Sequence, residues 1–206
     1  MPAGELNRSV IAQAALTLVD REGLGALSMR RLGAELGVEG MAVYHHFANK
    51  DALLDEVVTE VLRQTAPEPT GDWRADVRAL SHAFRNTVRA HPALLMVTMT
   101  RPVDTPETAA FREAQYAALT AAGLSGGALL DAHRTWGSYL VGYLVVEYQA
   151  EHSGYRDSDW TPTRRDGFPL TAGLSPYQAG RGWDEQFDVG LDLVLDGISA
   201  LRGRSR

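Results

Sequence analysis

The chain of 206 residues contains no cysteine, so it can form no disulfide, no thiolate zinc site and no cysteine nucleophile. It also lacks a long hydrophobic run. The longest apolar stretch, residues 139–146, is interrupted by Gly142 and falls far short of the roughly 20 residues that span a bilayer. The first eight residues carry no apolar core of the kind that a secretory signal needs. We therefore expect a cytoplasmic protein with no membrane contact.

The motifs of common enzyme classes are missing as well. The sequence has no glycine-rich phosphate loop, no nucleophile elbow and no histidine pair at the helical spacing of a metal site. Its histidines at 82, 91, 133 and 152 are widely dispersed. The sequence thus predicts a protein that is not an enzyme and that needs no cofactor and no metal.

An excess of positive charge, the usual mark of a nucleic-acid-binding protein, is absent too. The formal net charge is −6, from 20 basic and 26 acidic residues. Residues 1–50 hold five of each sign and are neutral, so the remainder carries the whole negative charge. Any DNA-binding function must therefore depend on the local arrangement of side chains.

What the sequence does contain is helical periodicity along most of its length. Apolar residues recur at three- and four-residue spacing, and no β-type alternation or internal repeat is found, which predicts an all-α fold. Residues 153–182, which hold three prolines and five glycines, show no sustained period. They predict a long flexible loop, either a lid over a pocket or a tether.

The most informative segment is residues 27–50, LSMRRLGAELGVEGMAVYHHFANK. Ser28 is suited to cap a short helix, Gly37 to end it in the left-handed conformation, and a second short helix fits from Gly40 to Phe47. Two short helices joined by such a turn are typical of a helix-turn-helix, whose second helix enters the major groove of DNA.

This segment resembles the tetracycline-repressor (TetR) family of bacterial transcription regulators. The resemblance covers about residues 7–62 and is carried by Leu32, Ala34, Leu36, Gly37, Val38, Val43, Tyr44, His46, Phe47, Lys50, Leu53 and Leu54. It implies a homodimeric, ligand-responsive regulator, most often a repressor, that binds a pseudo-palindromic operator in double-stranded DNA.

The family pattern also implies which residues contact the operator. It gives Arg30 a base contact, because a guanidinium can bind guanine in bidentate fashion. Phosphate contacts are implied for Ser28, Tyr44, His46 and Lys50. His45 stands where the tetracycline repressor has tryptophan, and its role is left open. The recognition helix starts with Gly40, Met41 and Ala42, where that repressor has glutamine, proline and threonine, so we expect a different operator.

A weaker resemblance to the tetracycline-repressor subgroup continues beyond residue 66, at Phe84, at residues 100–102 and at residues 142–149. In that subgroup a histidine binds magnesium and an asparagine contacts the drug, but Val97 and Leu80 occupy those positions here. A valine cannot coordinate a metal. We therefore expect a largely apolar small-molecule effector without magnesium. The candidate contacts are Phe84, Met96, Met99, Arg101, Gln115, Tyr116, His133, Trp136, Tyr139 and Tyr143.

The predicted organisation has three parts. Residues 1–50 form the helix-turn-helix DNA-binding domain, residues 51–66 a connecting helix, and residues 67–206 a larger helical domain for ligand binding and dimerisation. The resemblance implies that the helices of residues 128–151 and 183–202 pair in the dimer as a four-helix bundle. The alternative is a helical small-molecule-binding protein whose helix-turn-helix no longer binds DNA, which the neutral charge of residues 1–50 would favour.

Overall fold

The computed structural model describes residues 6–63, 67–100, 103–152, 167–178 and 181–201. Every regular element in these ranges is helical, which confirms the all-α prediction. The elements are α1 (Arg8–Glu22), a 3₁₀ turn (Leu24–Ala26), α2 (Met29–Leu36), α3 (Gly40–Tyr44), α4 (Lys50–Leu62), α5 (Trp73–Ala90), α6 (Pro92–Thr100), α7 (Pro106–Ala121), α8 (Gly126–His152), α9 (Pro169–Gln178) and α10 (Trp183–Leu201). None of these helices is long and apolar enough to cross a membrane.

Four helices begin at a side chain that accepts a hydrogen bond from a free amide of the first turn. Asn7 caps α1, Ser28 caps α2, Asn49 caps α4 and Asp72 caps α5, with oxygen–nitrogen distances of 2.8–3.2 Å. Such caps satisfy backbone donors that have no partner within the helix. The cap that the sequence predicts at Ser28 is confirmed.

The chain divides into two compact units, Met1–Ala118 and Leu119–Arg206. The hydrophobic core of the first unit combines one face of α1 with one face of α4 and includes Val43 and Phe47 from the end of the helix-turn-helix. Both side chains are almost fully buried, so they fix α3 against the rest of the unit. The predicted boundaries at residues 50 and 66 separate a DNA-binding part, a connecting helix and a ligand-binding part, and this functional division stays a prediction.

The second unit is built on the contact between α8 and α10. The buried apolar side chains of these two helices are Ala132, Trp136, Leu140 and Leu144 on α8 and Phe187, Leu191, Leu195 and Ile198 on α10. Gly190 lets the two helices approach closely, because a Cβ atom placed there would lie 2.6 Å from the hydroxyl oxygen of Tyr139.

The structure differs from the sequence-based expectation within residues 153–182. Part of this predicted loop is helix α9, Pro169–Gln178, whose first turn includes a bond from the amide of Ala172 to the carbonyl of Phe168. Proline is compatible with the first position of a helix, where its missing N–H has no partner to lose. Pro169 therefore marks a helix start and not a break. Residues 153–166 lie outside the described ranges.

Candidate nucleic-acid interface

The turn between α2 and α3 has the geometry of a tight helix end. Gly37 has φ 71° and ψ 26°, in the left-handed region that favours glycine. The amide of Val38 donates to the carbonyl of Gly33 at 2.9 Å, and the amide of Gly37 donates to that of Ala34 at 3.3 Å. These bonds fix the chain direction into α3, and the left-handed Gly37 that the sequence predicts is confirmed.

Two glycines bring the backbones of α2 and α3 into close contact. A Cβ atom on Gly33 would lie 2.9 Å from the amide nitrogen of Gly40, and one on Gly40 would lie 3.1 Å from the Cα of Arg30. Gly40 thus serves the packing of the two helices, and a DNA contact by its backbone stays a prediction. The close approach also places Arg30 beside the start of α3.

The described surface of α3 is mixed in character. Met41 is 63% exposed and Tyr44 48% exposed, and His45 is also exposed. Ala42 and His46 are half-buried. The exposed side chains of α3 and of the residue after it thus include a thioether, a phenol and an imidazole, which can contact bases or phosphates.

Arg30 differs from every other cationic side chain of residues 6–63. It is exposed and has no hydrogen bond or ion pair within the described part of the chain. The remaining cations are each held by a carboxylate or a carbonyl oxygen: Arg8, Arg21, Arg31, Lys50 and Arg63. One guanidinium is therefore available to an external acceptor next to the start of α3.

Two of the held arginines form a four-residue ion-pair network with Glu22 and Glu35. Arg21 lies 2.7 Å from each carboxylate, and Arg31 lies 3.0 Å from Glu22 and 3.2 Å from Glu35. The hydrogen bond from Arg21 lowers the pKa of Glu22, burial opposes this, and a hydrogen bond from Arg31 adds to the lowering. The network ties α1 to α2 and neutralises two cations beside the helix-turn-helix.

Lys50, a predicted phosphate contact, has a partner within the protein. Its ammonium nitrogen donates to the carbonyl of Leu24 at 3.2 Å, which ties the first residue of α4 to the 3₁₀ turn. An ammonium group has three N–H donors, so two remain for other acceptors. Ser28, another predicted phosphate contact, also has a partner within the protein, because its hydroxyl oxygen accepts the hydrogen bond that caps α2.

Arg8 belongs to this region, although it is not among the residues that the sequence analysis assigns to DNA binding. Its Nη1 donates to the carbonyl of His46 at 2.7 Å, its Nε donates to Glu56 at 2.9 Å, and its guanidinium carbon lies 4.2 Å from the ring centroid of Phe47. An arginine in the first turn of a helix opposes the helix dipole. That unfavourable placement was the one signal in the sequence that Arg8 has a tertiary partner.

The predicted ligand contacts of the second unit have structural partners. The hydroxyl of Tyr139 donates to the carbonyl of Phe187 at 2.6 Å, and that of Tyr143 donates to the carbonyl of Trp183 at 2.5 Å. Trp136 is fully buried. The two tyrosines join α8 to α10, and the role of all three side chains in ligand binding stays a prediction.

The other ligand predictions are only partly covered by the structure. Phe84 packs against Phe111 at a ring-centroid distance of 6.2 Å, and three further predicted contacts are half-buried: Gln115, Tyr116 and His133. The side chains of Met96 and Met99, and Arg101 altogether, lie outside what the structure describes.

A cleft of about 330 Å³ lies in the first unit between α1, α4 and the C-terminal part of α5. Its walls include Gln13, Glu60, Asn86 and His91 and none of the predicted ligand contacts. Next to it, Nδ1 of His91 lies 2.8 Å from a carboxylate oxygen of Asp20, which links the end of α5 to α1. Among the described residues no cluster of three or more histidine and carboxylate side chains could hold a metal ion.

Comparison with known proteins identifies two family models along the chain. Residues 11–57 match "Bacterial regulatory proteins, tetR family", and residues 66–202 match "Tetracyclin repressor-like, C-terminal domain". The first match contains the whole α2–α3 segment described above, and the second covers more than half of the chain.

Individual relatives extend over almost the full length. The tetracycline repressor protein class A from transposon 1721 of Escherichia coli is 31% identical over 96% of this chain and 93% of its own. ActR of Streptomyces coelicolor in complex with actinorhodin is 26% identical, with a TM-score of 0.83 over 97% and 100% of the two chains. BioQ of Mycobacterium smegmatis with its double-stranded DNA operator is 27% identical, with a TM-score of 0.67 over 95% and 99%.

Proposed function

The chain belongs to the tetR family of bacterial regulatory proteins, and from that premise we propose that it is a homodimeric repressor that leaves a pseudo-palindromic operator when a small molecule binds. Two copies of α3, one from each subunit, would enter successive major grooves of the operator. The tetracycline repressor, ActR and BioQ, to which the chain is similar, supply the precedents for repression, for a bound small molecule and for a bound operator.

The observation that carries the DNA-binding proposal is the free guanidinium of Arg30 beside the start of α3. Because the other cations of residues 6–63 are held internally, Arg30 can contact DNA without first giving up an ion pair. We assign it to a base edge, where a bidentate contact with guanine contributes about 1 to 3 kcal/mol of discrimination.

The surrounding residues fit supporting roles in the same complex. Ser28, Tyr44, His46 and Lys50 are assigned to phosphates, which fix the orientation of the protein but carry no sequence information. Met41 and Ala42 offer only apolar contact, for example to a thymine methyl group. His45 is exposed at the end of α3, and we assign it to the same DNA-facing surface.

The test compares two adjacent arginines with the same charge but different surroundings. Operator affinity is measured by fluorescence anisotropy on DNA from the upstream region of the protein's own gene, at two salt concentrations, for Arg30→Ala and Arg31→Ala. We expect Arg30→Ala to weaken specific binding by about tenfold or more and to relax discrimination between operator variants. Arg31→Ala, which removes a cation already paired with two carboxylates, should change affinity much less.

Two results would contradict the proposal. Equal effects of the two substitutions would mean that only bulk charge matters, and Arg30 would not read a base. Failure of the wild-type protein to bind upstream DNA at low salt would instead favour the second candidate function, a small-molecule-binding protein whose helix-turn-helix no longer binds DNA.

The effector is proposed to be a largely apolar molecule that binds without magnesium. Val97 and Leu80, which replace the metal-binding and drug-binding residues of the tetracycline repressor, are both buried apolar side chains. Actinorhodin, the compound held by ActR, is a suitable first probe, with tetracycline and magnesium as the contrast. We expect actinorhodin to release the operator more effectively than the tetracycline complex, and release by tetracycline alone would overturn the assignment.

Dimerisation is proposed through α8 and α10, which expose large apolar side chains that a monomer would leave in water. Leu193 is 71% exposed, and Leu130, Val146, Tyr148 and Val189 are also exposed. Leu193→Glu should shift the protein toward monomer in analytical ultracentrifugation, because it places a charge in the apolar interface. Val10→Glu, an equivalent change on the exposed side of α1, should leave the oligomeric state unaltered.

A further inference from the structure

We propose that Arg8 is a positioning residue that holds the C-terminal end of the recognition helix α3 against α4, so that operator affinity depends on an arginine that contacts neither base nor phosphate. The inference rests on the proposed DNA-binding function and adds a residue that sequence reasoning did not assign. It also names Glu56 as the partner through which α4 reaches the recognition helix.

The guanidinium of Arg8 contacts three groups from two other segments. Nη1 donates to the carbonyl of His46, Nε and Nη2 donate to one carboxylate oxygen of Glu56, and the guanidinium plane lies over the ring of Phe47. Hydrogen bonds between ionised groups are stronger and more directional than neutral ones. A single side chain of α1 therefore joins the end of α3 to the middle of α4.

The recognition helix needs such support because it is short. Helix α3 has five residues, and a helix of this length is not stable without tertiary contacts. Val43 and Phe47 fix its buried side, whereas the carbonyl of His46 lies just beyond its end. The bond from Arg8 fixes that end in position and also satisfies the carbonyl as an acceptor.

A direct phosphate contact is the competing role for Arg8, since its side chain is 52% exposed. The two roles predict opposite results when the charge of Glu56 is removed. A phosphate-contacting arginine would be released by Glu56→Gln, and the loss of a nearby negative charge would tighten DNA binding. A positioning arginine would lose its anchor, and DNA binding would weaken.

The chain offers a matched control on the same helix. Glu60 lies one turn beyond Glu56 and pairs with Arg63 at 2.9 Å. Glu60→Gln removes the same charge and also breaks an ion pair of α4, but Arg63 makes no contact with the recognition helix among the interactions described for it. Any effect of charge alone will appear in both variants.

The experiment measures operator affinity by fluorescence anisotropy for the wild-type protein, Glu56→Gln, Glu60→Gln and Arg8→Lys, with circular dichroism to verify folding at the assay temperature. We expect Glu56→Gln and Arg8→Lys to weaken operator binding about five- to tenfold at an unchanged salt slope. Glutamine removes the charged acceptor of α4, and lysine lacks the planar fork of donors with which arginine spans the two acceptors. Glu60→Gln should stay within about twofold of the wild type.

Tighter binding by Glu56→Gln, or wild-type affinity in Arg8→Lys, which keeps the positive charge that a phosphate contact needs, would overturn the proposal in favour of a phosphate contact. Equal affinities of Glu56→Gln and Glu60→Gln would overturn it as well. If the wild-type protein binds no DNA, the proposed function fails, but this inference still has its own readout. Amide hydrogen exchange at residues 43–47 of the free protein should be faster in Glu56→Gln than in Glu60→Gln, and equal exchange rates would refute it.

Discussion

The substitution Gly33→Ala tests whether the close approach of α2 and α3 is what positions the recognition helix. The added methyl group would meet the amide nitrogen of Gly40 and the carbonyl oxygen of Val38 at 2.9 Å. Ordinary contact begins at 3.4 Å, so the two backbones must separate by about 0.5 Å, the difference between these distances. No flexible side chain can absorb this shift, because both neighbouring atoms belong to the main chain.

The expected change in stability is the difference between two opposing effects. Overpacking costs about 1 to 3 kcal/mol, whereas replacing glycine by alanine inside a helix gains about 1 kcal/mol. The net result is a loss of about 1 kcal/mol, which lowers the melting temperature by about 2 to 4 °C in a protein of this size. Because α3 carries the residues assigned to DNA, we also expect operator affinity to fall by about tenfold.

Gly127→Ala is the matched control for this experiment. Gly127 lies in the first turn of α8, and a Cβ atom placed there would meet no atom within 4 Å. The control should raise the melting temperature slightly and leave operator affinity unchanged. If circular dichroism and fluorescence anisotropy show the same behaviour for Gly33→Ala, the tight contact between α2 and α3 does not position the recognition helix.

Three further predictions concern single hydrogen-bonded side chains. Asp76→Asn should lower the free energy of unfolding by about 2 kcal/mol at pH 7, because a buried carboxylate loses its charge-assisted bonds; urea titrations across pH will measure it. Tyr143→Phe should cost about 1 kcal/mol through the lost bond to the carbonyl of Trp183, with the effector response preserved in anisotropy titrations. Lys50→Ala should weaken binding to all DNA sequences alike and lower the salt slope by about one unit.

The effect of Asp76→Asn should depend on pH, and the contacts of Asp76 give the reason. The hydroxyl of Thr70 lowers the pKa of Asp76, burial opposes this, and the amides of Thr70 and Gly71 add to the lowering. A carboxyl group with a lowered pKa stabilises the fold above its unfolded pKa of about 3.9, and this contribution is lost as the pH falls through the folded value. The difference between wild type and Asp76→Asn should therefore shrink below about pH 4, and a constant difference would exclude this cause.

The predictions for Tyr143→Phe and Lys50→Ala can also be contradicted by a single result each. A Tyr143→Phe variant that unfolds like the wild type but no longer responds to the effector would place the hydroxyl in the ligand site and not in the packing of α8 against α10. A Lys50→Ala variant with an unchanged salt slope would show that the ammonium group serves only the carbonyl of Leu24.

The sequence predicted the local elements of this fold well because their signals are local. Ser28 and Gly37 act on atoms within a few residues of their own position, so their roles as cap and helix end could be recognised without a structure. The loop predicted around Pro169 is wrong, because proline breaks a helix from within but is also favoured at the first position of one.

The tertiary partners could not be predicted in the same way. The contacts of Arg8 with His46 and Glu56 span 38 and 48 residues, and no periodicity in the sequence indicates such pairs. The sequence also could not show that Arg30 has no ion pair among the described residues. Arg31 is the same residue type and is adjacent in sequence, yet it pairs with two carboxylates. Which of the two neighbouring arginines is left without an ion pair is decided by the geometry of α1 against α2.

The internal pairing of nearly all cations beside the recognition helix bears on how such a regulator would search a genome. A protein that holds few unpaired charges toward DNA gains little from arbitrary sequence, and only a small fraction of its copies would be sequestered by chromosomal sites that compete with the operator. Occupancy of the operator would then rest on a few specific contacts in each subunit. A modest loss of affinity, of the size that one effector molecule can supply, would be enough to switch the gene on.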